Sequence, residues 1–213
     1  MPLRVGEPGF GKTVPCPDCH GVRPGVVEDV AGRMRIPMLH RSSRVELWTP
    51  AGGKPRVVCE QYVASWPPEK PFLLLTGERG TGKTHLACGV LRAVFEYHGK
   101  RGRFWPVIDL LDRYKATFDA ERATETVEQI DQEMRQIEVL VLDDFGTHKS
   151  TEWAEERLFR LVDERYRDLR PLVMTSNVQI GSLPGRVKSR FADVTVASIV
   201  YFDGPDRRPE VRR

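Results

Sequence analysis

Eight residues, Gly77-Glu78-Arg79-Gly80-Thr81-Gly82-Lys83-Thr84, restrict this chain to a small set of folds. They satisfy G-x-x-x-x-G-K-[ST] at every fixed position, a loop that needs a strand leading into it and a helix leading out. Both flanks agree. Pro71-Phe72-Leu73-Leu74-Leu75-Thr76 is a short apolar run of buried-strand type, and residues 85–98 carry helical periodicity. The glycines permit positive φ and bring backbone N–H groups close to an anion. Those groups converge at a helix N-terminus, where the macrodipole also favours negative charge. The pattern assigns Lys83 to the β- and γ-phosphates of a nucleotide and the Thr84 hydroxyl to Mg²⁺. Gly77, Gly80, Thr81, Gly82, Lys83, Thr84 and the adjoining His85 are therefore the candidate nucleotide-binding residues. A chance glycine-rich turn is the competing reading, and the flanks oppose it.

Three further stretches follow in order. Val139-Leu140-Val141-Leu142-Asp143-Asp144 places acid at the end of a buried strand, the Walker B arrangement. Asp143 is expected to hold Mg²⁺ through water, opposite Thr84. Asp144 then stands where a base orienting the attacking water is needed, although an aspartate after a strand also serves as a plain loop or capping residue. Leu172-Val173-Met174-Thr175-Ser176-Asn177 ends in a polar triplet, which points side chains into the crevice where α/β sheets bind ligands. Asn177 is the candidate for the γ-phosphate or the attacking water. Arg186-Val187-Lys188-Ser189-Arg190-Phe191 supplies arginines able to stabilise a transferring phosphoryl group, with a solvated basic turn as the alternative.

Between the motifs, strand and helix patterns alternate. Strands are expected at 72–75, 104–108, 139–142, 171–175 and 194–202. Helices are expected at 56–65, at 85–98 with Gly99 ending it, at 109–118 capped by Asp109, at 124–136, and at 151–169 capped by Thr151. The last should bury Leu158, Leu161, Val162, Tyr166 and Leu169. Such alternation implies a parallel sheet sandwiched by helices. Residues 1–35 are rich in Gly and Pro and read as a short irregular arm, leaving 36–213 as one domain with little or no C-terminal lid.

Composition excludes some classes. Apolar residues make up 40% and charged residues 30%, and the longest apolar runs are only a few residues, so no membrane span is expected. Met1 to Gly11 lacks a signal peptide's apolar stretch, so the chain reads as cytoplasmic. The net charge of +3 is compatible with nucleic-acid contact without arguing for it.

Gly80-Thr81-Gly82-Lys83-Thr84-His85-Leu86-Ala87, Leu142-Asp143-Asp144-Phe145-Gly146, Thr175-Ser176-Asn177 and Ser189-Arg190-Phe191 together resemble the AAA+ ATPases of the DnaC/IstB type, which are helicase loaders and transposition helpers. Ile36-Pro37 with Trp48 is similar to that family's lead-in, and 202–208 to its closing Gly-x-x-x-Arg segment. The resemblance implies Walker A roles for Lys83 and Thr84, Walker B roles for Asp143 and Asp144, sensor 1 for Asn177 and a finger role for Arg190, with Arg186 second. It implies a sensor-2-like role for Arg208. It further implies ATP and Mg²⁺ as ligands, a homo-oligomer when ATP is bound, contact with DNA (single-stranded favoured), and a replicative helicase or a transposase as partner. Two departures stand out. Some 35 residues precede Ile36 where the loaders carry a docking domain, and residues 109–136, at the family's DNA-facing insertion, carry mixed charge.

The alternative from another class is a small-molecule P-loop kinase, which the Asp-Asp and Thr-Ser-Asn order opposes. Cys16-x-x-Cys19 has the spacing of half a zinc site, with His20, His40 or Cys59 as conceivable partners. No second pair follows, so an arm with free thiols is the rival. Cys88 reads as a small core residue.

Overall fold

The computed structural model describes residues 30–49, 53–119, 121, 123–146 and 151–207. Cys16, Cys19, His20, Arg208 and the stretch that would hold a lid lie outside these residues.

One sheet of five parallel strands organises the molecule: β1 (Phe72–Gly77), β2 (Gly102–Pro106), β3 (Val139–Phe145), β4 (Leu172–Ser176) and β5 (Ala197–Phe202). Their order is β2-β3-β4-β1-β5. Consecutive strand residues face opposite sides, so each strand feeds two cores. Leu73, Leu75, Val139 and Val141 meet α1 (Lys54–Ala64), α2 (Lys83–His98) and the segment from Ala31 to Trp48. Phe72, Leu74, Leu140 and Leu142 meet α3 (Val107–Lys115), α4 (Val127–Gln136), α5 (Glu152–Arg167) and α6 (Gly185–Ala192). The sheet is covered on both faces, as alternation implies. Among the described residues no helix is long and apolar enough to cross a membrane.

Local chemistry places the boundaries. Gly99 closes α2 in the left-handed region, its N–H donating to Phe95 C=O at 2.9 Å. Thr126 and Gln129 form a reciprocal capping box on α4, and Thr151 caps α5 by accepting from the Ala154 N–H. Asp109 does not cap α3. Pro106 is the N-cap and the helix starts at Val107, because proline ends the ladder while its fixed φ of −57° suits helix entry. Asp109 lies instead in the first turn, where a negative charge still favours the helix. Residues 30–35 belong to the packed body and not to an irregular arm. Residues 30–33 are helical, Ala31 and Met34 are buried, and Met34 C=O accepts from the Phe104 N–H on the outer edge of β2.

The inner face of α5 departs from expectation. Leu158, Leu161 and Val162 are buried, but Leu169 is 60% exposed beyond the helix end, and Arg165 is 0% exposed. Its guanidinium donates to the carbonyls of Met134 (2.7 Å), Ile137 (2.9 Å) and Pro171 (2.8 Å), clamping the chain where it enters β3 and β4. Burial pushes its pKa down to about 9, so it stays charged at neutral pH. Arg165→Met should cost about 3 kcal/mol, since the carbonyls of Met134, Ile137 and Pro171 lose a charged donor. Urea unfolding measures this, and an unchanged midpoint would refute the clamp.

Candidate nucleotide-binding site

The site lies at the C-terminal edge of the sheet, where β1, β4 and β3 run side by side. β1 ends at Gly77, and the chain passes through Gly80 at φ 73° and Gly82 at φ 96° before α2 starts at Lys83. Neither glycine could be replaced cheaply. A Cβ on Gly80 would lie 1.8 Å from Asp206 Oδ1, and one on Gly82 would lie 2.5 Å from Trp48 Nε1. The Thr81 hydroxyl donates to Glu78 C=O at 2.8 Å and stiffens the turn. Lys83 is only 6% exposed, and its ammonium donates to the carbonyls of Gly77 (2.8 Å) and Glu78 (2.6 Å). The lysine is thus curled onto its own loop, with its charge held at the cradle.

Asp143 is the hub. Its Oδ1 accepts from the hydroxyls of Thr84 (2.9 Å) and Thr175 (2.6 Å). Thr175 Oγ1 in turn accepts from the Asp144 N–H at 2.9 Å, and Asn177 Nδ2 donates to Asp144 Oδ1. The β3–β4 register breaks between Leu142 and Phe145, and Asp144 sits at φ 60°. The irregularity aims two consecutive acids at the crevice, where a regular strand would send them to opposite faces. Burial raises the Asp143 pKa and the neighbouring Asp144 adds to that, against lowering by the two threonine hydrogen bonds and by His40.

Among the described residues no group of three or more His, Cys, Asp or Glu is arranged to hold a metal alone. The Thr84 and Asp143 oxygens are a hard two-donor set that suits Mg²⁺ completed by water and phosphate oxygens. Cys59 and Cys88 are buried free thiols whose pKa values burial raises.

Other expected residues are placed differently. His85 faces the lead-in segment with both ring nitrogens. Nε2 lies 2.9 Å from Arg44 C=O, and since a carbonyl only accepts, Nε2 carries the proton. Nδ1 then accepts from the Ser43 hydroxyl at 3.1 Å, and His40 Nδ1–H donates to that oxygen at 3.3 Å. His85 therefore fastens residues 40–44 to α2, with no ring nitrogen left for a nucleotide. Arg190 is held by Asp163 on α5, not by the loop or by Asp143. Arg186 lies 5.2 Å over the Phe159 ring. The basic run at 100–103 is largely paired: Lys100 lies 2.9 Å from Glu138 and Arg103 3.9 Å from Glu133.

A clasp over the loop carried no role in the sequence reading. Trp48 Nε1–H donates to Thr81 C=O at 3.4 Å, and its ring meets Phe202 edge-on with centroids 5.7 Å apart. Arg207 lays its guanidinium 4.3 Å over Trp48, and its backbone N–H donates to Gly80 C=O at 2.9 Å. Glycine at 80 and 82 was legible as a need for positive φ, which does not reveal what packs against the turn.

A five-stranded parallel sheet with this order, a phosphate loop after β1 and acid at the end of β3 defines a P-loop protein of the AAA+ class. Within that class the chain belongs to the family of IstB-like ATP binding proteins, whose model matches residues 33–201. The replicative helicase loader DnaC of Escherichia coli (strain K12) is 26% identical over 133 residues, covering 62% of this chain and 53% of that protein. The uncharacterized protein YqaM of Bacillus subtilis (strain 168) is 27% identical, covering 62% of this chain and 45% of its own length. The chain spans about half the length of these curated relatives. The crystal structure of the DnaC helicase loader superposes with a TM-score of 0.69 at 23% identity, covering 78% of this chain and all of that one. The replication initiator DnaA bound to AMPPCP and single-stranded DNA superposes at 0.67 and 16% identity, covering 79% and 52%. These likenesses establish a shared fold.

Proposed function

We propose that this protein is an ATPase that loads or remodels a replicative helicase on DNA. The observation that carries the ATPase part is the Asp143 hub, which joins the Walker A threonine to the end of β3 and to Thr175. In this reading Lys83 exchanges its loop carbonyls for phosphate oxygens. Thr84 and Asp143 hold Mg²⁺, which neutralises phosphate charge when bound. Asp144, tethered by Asn177, orients the attacking water and takes its proton as the bond from the γ-phosphorus to the ADP oxygen breaks. Arg190, turned away from its own loop, serves the loop of a neighbouring copy in an ATP-bound homo-oligomer.

The helicase part rests on the DnaC relative, and single-stranded DNA is the favoured nucleic acid. The second reading, an ATPase helper of transposition, is favoured by the IS21 designation of the matched family model. Loading of the same organism's purified replicative helicase onto circular single-stranded DNA, with and without ATP, separates the two. No ATP-dependent loading, together with ATP-dependent stimulation of a neighbouring transposase, would replace the first reading by the second.

Arg190→Ala should leave ATP affinity within about twofold and lower assembled turnover by roughly 10³-fold. Mixing it with Asp144→Asn subunits should restore part of the activity, because intact fingers then meet intact Walker B sites. Normal turnover by Arg190→Ala alone would remove the finger.

A further inference from the structure

We propose that Asp163 is a positioning residue for Arg190, holding its guanidinium ready for a neighbouring subunit's phosphate loop. This rests on the finger reading above and adds a second residue to it. Asp163 lies on α5 and Arg190 on α6. The guanidinium is gripped along one edge, with Nε donating to Asp163 Oδ1 at 2.9 Å and Nη2 paired with the same oxygen at 2.7 Å. One face of the group rests on Tyr166, with its carbon 4.8 Å from the ring centroid.

The holders are themselves held. Arg167 Nε lies 3.2 Å from the other Asp163 oxygen, and the Tyr166 hydroxyl donates to Asp193 Oδ2 at 2.5 Å. Arg190 is still 30% exposed. Among the described residues its Nη1 makes no hydrogen bond, so the far end of the fork remains available to an acceptor from outside.

A long arginine loses much rotamer freedom when it is ordered. Here that loss is already met in the single chain, so delivery to a phosphoryl group requires little further ordering. The competing account is an ion pair that merely ties α5 to α6. Such partly exposed pairs add little to stability, and nothing in that account predicts an effect on turnover.

Asp163→Asn in the full chain tests this under assembling conditions with saturating ATP and single-stranded DNA. Turnover should fall about tenfold, with KM for ATP within twofold and Tm within about 2 °C of the parent. Asp163→Glu should recover part of the loss. In an Arg190→Ala background, Asp163→Asn should cause no further fall. Parental turnover in Asp163→Asn, while Arg190→Ala is impaired, would overturn the inference and leave the finger standing. An equal fall in both backgrounds would overturn it by showing that Asp163 acts without Arg190. Parental turnover in Arg190→Ala itself would overturn the finger, and this inference with it.

Discussion

Lys83→Ala is expected to weaken ATP binding by about 10- to 100-fold and to abolish measurable turnover. The ammonium is nearly buried and is held by two loop carbonyls, so its charge is fixed where phosphate oxygens would enter. Charge-assisted hydrogen bonds are worth about 1.5–3 kcal/mol each, and every 1.4 kcal/mol is tenfold in affinity. The same substitution removes the charged donor from the Gly77 and Glu78 carbonyls, the latter keeping the Thr81 hydroxyl, so it should also lower stability by about 1 kcal/mol. A fluorescent ATP analogue titrated against both proteins reads the affinity, and thermal melting reads the second effect. Parental affinity and turnover would show that the loop is not the nucleotide site.

Asp143→Asn should separate stability from function. Burial is the largest influence on the carboxyl, and it raises the pKa. A carboxyl whose folded pKa stands above its unfolded value binds its proton more tightly in the folded state. Metal-free stability therefore rises as pH falls through the folded pKa, and the ionised form at pH 7 costs stability. The amide keeps an oxygen for the Thr84 and Thr175 hydroxyls and removes that charge. The variant should melt a few degrees above the parent in EDTA at pH 7, each kcal/mol being about 2–4 °C for a chain of this size. The gap should narrow as pH is lowered toward the ordinary carboxylate range. Mg²⁺-dependent turnover should fall at least about 100-fold, because the proposed metal site loses its carboxylate. A variant that melts below the parent throughout this range would contradict the reading of Asp143 as a charge stored for a cation.

Local patterns carried most of the architecture. The apolar runs at 72–75 and 139–142 lie within β1 and β3, and the Thr126 and Thr151 caps are written within three residues of the atoms they satisfy. The closeness of Thr84 to Asp143 was also legible, because phosphate loop and strand-end acid are parts of one recurring geometry. What escaped was long-range and polar. Arg165 occupies a helical position that periodicity reserves for an apolar side chain, and its carbonyl partners sit up to 31 residues away. Asp109 lost the cap because Pro106, three residues earlier, both stops a strand and starts a helix. The partners of His85 and Arg190, on residues 40–44 and on α5, follow from packing that no short window contains.

The clasp of Trp48 and Arg207 has a mechanical consequence. The segment before β1 and the segment after β5 both touch the same turn, one through Thr81 and the other through Gly80. A pull on the segment after β5 is felt at the phosphate loop, through the Arg207 N–H, before it reaches the sheet. Changes at the phosphate loop and tension on the segment after β5 therefore meet at the Gly80 carbonyl. The amide proton of Arg207, exchanging faster or slower with solvent, would register both.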